Sequence, residues 1–164
     1  MSPRVPRSIF IRSQGDGNKR AFKRIVRAGE EPGILAYSGK TPVGWCALAP
    51  REVFKRLEKS RVLKPVDDAP VWSVVCFFVA RPYRRTGISV RLLEAAVAYA
   101  KRRGARIVEG YPFDYESKKT PDAFVWTGLV GTFRDAGFTE VARRSATRPI
   151  MRYSIAPVKR GRKE

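Results

Sequence analysis

A chain of 164 residues, 43% of them hydrophobic, is sized for one domain with a real core. Its 34 Lys and Arg against 15 Asp and Glu leave a formal charge of +19, which favours anionic partners such as nucleic acid, phosphorylated cofactors or membrane surfaces. Histidine is absent, which removes Ser-His-Asp chemistry, histidine bases and nearly all zinc sites, and two cysteines make neither a disulfide framework nor a metal spacing.

The opening MSPRVPRSIFIRSQ has scattered charge and no apolar h-region, so it does not read as a signal peptide, and SIFIR leaves room for an edge strand. GDGNKRAFKRIVRAGEEPG predicts a helix from about Asn18 to Arg27, with Ala21, Phe22, Ile25 and Val26 on one face and Gly29 and Pro32 as stops. GILAYSGKTPVGWCALAP predicts a hairpin joined at Ser38-Gly39-Lys40, where Gly39 can take a positive φ. PREVFKRLEKS predicts a short helix and KPVDDAP a loop. The run VWSVVCFFVA is almost continuously apolar, as a strand covered on both faces must be, and at ten residues it is far short of the ~20 that a membrane helix needs.

Past a glycine-containing turn, Ile88, Leu92, Leu93, Ala96, Val97 and Ala100 recur at helical spacing until Gly104. ARIVEGYPF predicts another strand, broken by Pro112, and DYESKKTPDAF a polar loop. TGLVGTFRDAGF predicts a helix with Thr127 as N-cap and Gly137 just past its end, and FTEVARRSATRPIMRYSI predicts two strands. Residues 1–156 thus read as one domain and 157–164 as a basic tail. Strand–helix–strand over residues 71–110 demands a parallel crossover, while the flanking hairpins demand antiparallel pairing. The expected fold is therefore α/β (α+β), a mixed sheet with helices on both faces, in a soluble, cytoplasmic protein with no membrane segment and no metal.

The turn RPYRRTGIS joins the end of the buried strand to the start of a helix. Backbone N–H groups from Arg85 to Ser89 would point outward there, at the positive end of a helix dipole, beside Arg84 and Arg85. Such a turn either holds an anion or is only a basic strand–helix corner.

The stretch V-A-R-P-Y-R-R-T-G-I-S resembles the acetyl-CoA-binding motif of the GNAT superfamily of N-acetyltransferases, Arg/Gln-x-x-Gly-x-Gly/Ala at the opening of a helix. Arg84, Gly87 and Ser89 fill its three positions, with Ser in place of the usual small residue. F-R-D-A-G-F is similar to the family's last helix-to-strand corner, and the element order matches from about Gly33 to Ser154. The resemblance, to a bacterial-type member with a shortened N-terminus, implies a mostly antiparallel twisted sheet around a central β-α-β unit that binds acetyl-CoA. It implies that the pyrophosphate lies on the turn formed by Arg84, Arg85, Thr86, Gly87, Ile88 and Ser89. Pantetheine would lie along Phe77, Phe78 and Val79, and a backbone N–H near Phe77 would polarise the thioester carbonyl. Acetyl would pass directly to a primary amine.

Two positions depart from the family. Its usual proton donor, a Tyr four residues before the glycine of the last corner, is Phe133 here, and the Asn commonly found seven residues earlier is Trp126. Glu109 can serve as a base beside the strand gap or be a solvated strand-face carboxylate. Tyr111 and Asp114 can bind the acceptor or carry a proton, or simply pack the loop at Pro112. Cys76 reads as a small buried hydrophobe rather than a nucleophile. Only about thirty residues precede GILAYSG, room for one helix and the edge strand. Rival readings are a basic nucleic-acid-binding protein, an acetyltransferase acting on an RNA-borne amine, and a CoA-binding pseudoenzyme. A homodimer, common among relatives, is a further expectation.

Overall fold

The near-continuous apolar character of residues 71–80 follows from a core on each side of the strand they form. In the computed structural model, which describes Arg4 and residues 7–114 and 126–156, strand β3 (Trp72–Val79) sends Val74, with Trp72 and Phe77 beside it, into one core and Val75, flanked by Cys76, into a second. The first core lies under helix α4 (Ile88–Arg102), whose Leu92, Leu93, Ala96 and Ala100 are buried at the predicted helical spacing. The second is closed by Phe54, Leu57 and Leu63.

The sheet has six strands in the order β1-β2-β3-β4-β6-β5. Strands β1 (Gly33–Ser38) and β2 (Thr41–Pro50) form the predicted hairpin, with Gly39 at φ 58° in its turn. Strand β2 pairs antiparallel with β3, and β3 pairs parallel with β4 (Ile107–Gly110) across α4. Strand β6 (Pro149–Ser154) lies antiparallel between β4 and β5 (Thr139–Arg143). The expected mixed, mostly antiparallel sheet is therefore present.

Three local readings change. SIFIR is not an edge strand but lies in helix α1 (Arg7–Arg12), followed by α2 (Asp16–Arg27), so two helices precede β1. Three consecutive apolar residues fit either period, and Ile9 and Ile11 remain half exposed, so no buried sheet face claims them. PREVFKRLEKS is two short pieces, a 3-10 turn Arg51–Val53 and α3 (Lys55–Glu58), interrupted where fully buried Phe54 turns into the core. Thr127 does not cap the next helix. Gly128 at φ 86° cannot join a helix, so α5 (Val130–Asp135) starts after Leu129. The expected loop after Asp114 and the basic tail at 157–164 lie outside the described residues.

Candidate active site

Strand β3 outruns its neighbour. Its parallel pairing with β4 holds for Trp72–Val108, Ser73–Glu109 and Val74–Gly110, and then stops, while β3 continues to Val79. Phe133 fills the place where β4 would have gone on: a Cβ added to Gly110 would lie 1.9 Å from its ring. The parted strands leave a cleft of about 420 Å³, bordered by Phe77, Phe78, Val79, Arg84, Arg85 and Ser89 on one side and by Trp126 and Thr132 on the other.

At the mouth of this cleft the chain makes a tight basic turn. Ala80 closes the strand by donating its N–H to the Val43 carbonyl at 2.9 Å. Arg85 takes φ 62° and Gly87 φ 79°, and α4 begins at Ile88. A Cβ on Gly87 would meet nothing within 4 Å, so glycine is required there for its left-handed backbone and not for lack of space. Arg91 N–H is bonded to the Gly87 carbonyl at 3.2 Å, so the amides of the first helical turn before it have no intrahelical acceptor. Thr86 Oγ1 donates to the Tyr83 carbonyl at 2.6 Å, and Arg84 Nε donates to the Val79 carbonyl at 3.2 Å, which ties the turn back to the strand. Thr86 and Ile88 border a neighbouring groove between β1 and α4 instead of the cleft. Their expected contribution is through the backbone, which their side-chain direction does not alter.

The backbone of β3 is partly engaged by the chain itself. The Phe77 N–H donates to the Trp126 carbonyl at 2.6 Å, which puts Trp126 across the cleft at the amide expected to meet a thioester. Trp126 also borders a second cavity of about 210 Å³ on the other side of the sheet, with Val75, Tyr111, Thr127 and Arg148 among its walls. Nothing in the spacing of the sequence pairs Trp126 with Phe77.

Glu109 and Tyr111 meet, but in a buried network. Both are 1% exposed. The Tyr111 hydroxyl donates to Glu109 Oε2 at 3.0 Å, receives Arg51 at 2.5 Å and lies 2.8 Å from Ser73 Oγ. Arg152 donates to Glu109 Oε1 at 2.9 Å and grips Asp67 with two bonds of 2.6 and 2.9 Å. Burial, followed by the charge of Glu109, raises the Tyr111 pKa, so its hydroxyl keeps its proton. Asp114 pairs with Arg143 at 2.7 Å. Burial pushes the Cys46 thiol up to about 12 and raises that of Cys76, leaving neither as a ready nucleophile. Arg51, Asp67 and Arg152 carry no signal in the sequence, because each is an ordinary charged residue until the fold brings them together.

The pattern that defines the family described as "Acetyltransferase (GNAT) family" matches residues 5–112, about two thirds of the chain. The chain belongs to the GNAT family. Among solved structures, a GNAT-family protein from Desulfovibrio desulfuricans superposes with a TM-score of 0.56 at 16% identity, over 89% of this chain and 88% of that one. The NatC complex bound to Gag peptide and CoA gives 0.54 at 13% identity, over 84% and 79%. An N-acetyltransferase of Thermoplasma acidophilum in complex with coenzyme A gives 0.52 at 13% identity, over 85% and 70%. At these identities the likeness concerns the fold. No curated protein matches the sequence. The GNAT position expected to hold a tyrosine is filled by Phe133, fully buried against Phe77 and Phe138, where it has packing partners and no polar ones.

Proposed function

We propose that the protein is an acetyl-CoA-dependent N-acetyltransferase that passes acetyl directly to a primary amine. The observation that carries this reading is the cleft between parted β3 and β4, which ends on the left-handed turn Arg85–Gly87 at the N-terminus of α4. Amides of that turn, with Arg84 and Arg85, receive the pyrophosphate. Phe77, Phe78 and Val79 flank the pantetheine arm, and the thioester reaches the level of Phe77 and Trp126. The acceptor enters from the second cavity, which shares Trp126 with the cleft.

In the transfer, the nitrogen lone pair attacks the thioester carbonyl. An N–C bond forms and the C–S bond breaks. The proton lost by the amine balances the thiolate that leaves as CoA–SH. Glu109 and Tyr111 are the candidates for moving that proton, with Tyr111 bordering the acceptor cavity and Glu109 behind it. The free thiols of Cys46 and Cys76 accord with a cytoplasmic setting. A CoA binder that does not transfer acetyl is the second reading, favoured by Phe133 and by the engaged Phe77 amide.

Thermal unfolding with acetyl-CoA tests the reading. At about 100 times its Kd a ligand adds ~2.7 kcal/mol, a rise of several degrees for a domain of this size. The rise is expected in the wild type and lost in Gly87→Glu, which places a side chain and a negative charge in the turn. CoA release on adding amines then separates transferase from binder. No rise in a folded wild type would overturn both.

A further inference from the structure

The two buried arginines described here face an acid, since Arg51 and Arg152 both meet Glu109, and half-buried Arg4 meets Glu30. Arg148 does not. It is half-buried in the wall of the 210 Å³ cavity, and its side chain makes one long hydrogen bond, 3.5 Å to Thr127 Oγ1. No carboxylate among the described residues pairs with it or borders the cavity. Burial lowers its pKa. A guanidinium held this way carries a desolvation cost that a bound anion would relieve.

The cavity has the other attributes of a small acceptor site. Val75 lies two residues before Phe77 on β3, Tyr111 follows the end of β4, and Trp126 is shared with the cleft, so the cavity opens at the level where acetyl would be delivered. Its volume is below the ~300–1,000 Å³ of pockets for larger ligands, which suits a single small amine. An acceptor with only an ammonium would add a further positive charge to a cavity walled by Arg56 and Arg148, with no carboxylate among the described residues bordering it. One that also carries an anion would answer that charge through Arg's planar fork, which matches carboxylate and phosphate alike.

Building on the transferase reading, we propose that the acceptor is a small amine bearing a carboxylate or phosphate, and that Arg148 binds this anion. The test measures CoA release with matched pairs: amino acids against their amides for the carboxylate, and phosphoethanolamine against ethanolamine for the phosphate. The acidic member of at least one pair is expected to be preferred tenfold or more in kcat/KM. Arg148→Gln should raise KM for that acceptor about tenfold to hundredfold, the range of a lost charge-assisted hydrogen bond. KM for the neutral partner should not rise, and the acetyl-CoA shift in Tm should not change. Arg148→Lys, which keeps the charge without the fork, should fall between the two and guards against a folding defect in the glutamine variant.

Equal use of acid and neutral partner, or an equal loss on both in Arg148→Gln, overturns the anion site and leaves the transferase reading intact. If a wild type that binds acetyl-CoA releases no CoA with any amine, the transferase reading fails instead. The anion site is then read by binding: N-acetylglycine or acetyl phosphate should raise Tm of the CoA-bound wild type but not of Arg148→Gln, and no rise overturns it.

Discussion

Phe77 and Trp126 are joined by a 2.6 Å hydrogen bond, from the amide of one to the carbonyl of the other, just past the last pair that β3 makes with β4. The bond satisfies a strand amide that would otherwise face an empty gap. It also means that a thioester carbonyl reaching Phe77 must displace the Trp126 carbonyl or share its donor.

Acetyl-CoA is therefore expected to change the surroundings of Trp126, a residue 42% exposed that borders the cleft. Covering the indole should shift the intrinsic emission to shorter wavelength. In Trp126→Phe the two remaining tryptophans, Trp45 and Trp72, should show no such shift. An undiminished change in that variant would mean that the cofactor does not reach Trp126.

Glu109→Gln separates a structural carboxylate from a catalytic one. The substitution leaves Arg51 and Arg152, both mostly buried, without the charge they share. Breaking a buried ion pair costs about 3–5 kcal/mol, and the unfolding free energy is expected to fall by that much, with a lower urea midpoint. If the midpoint is unchanged and acetyl transfer is lost, Glu109 belongs to the chemistry.

Gly110→Ala should destabilise the protein by ~1–3 kcal/mol, because its methyl group would sit inside the ring of Phe133. In a Phe133→Leu background, which vacates part of that space, Gly110→Ala should cost less than it does in the wild type. Additive losses in the double variant would mean that the two residues do not contend for the same volume.

Acid should weaken the protein partly through Asp67. The two bonds from Arg152 hold its carboxyl below the ordinary value near ~3.9, so the unfolded chain binds more protons as pH falls. The Asp67 contribution is complete above that ordinary value and is lost as pH drops through the lowered folded value. Between about pH 5 and 2 the Tm of Asp67→Asn should fall less steeply than that of the wild type. Parallel curves would show that the Arg152 clamp does not affect stability.

Local chemistry determined most of the architecture. A strand facing two cores must be apolar on both faces, and the run at 71–80 is. A helix on one core must repeat near 3.6, and Ile88 to Ala100 does. A left-handed turn favours glycine, which made Gly39 legible from the sequence. Short segments such as SIFIR and TGL were ambiguous, because three or four residues fit either period and only the neighbours decide.

The site divides the same way. The basic turn is contiguous in sequence, so its residues could be named together in advance. The Arg51–Tyr111–Glu109–Arg152–Asp67 network, the Trp126 carbonyl on Phe77 and the bond from Arg148 to Thr127 are brought together from distant positions. A charged residue says nothing by itself about whether an acid will face it. That is decided when the sheet sets β4 beside β6, closing Arg152 onto Glu109, while Arg148, one residue before β6, is left facing the cavity.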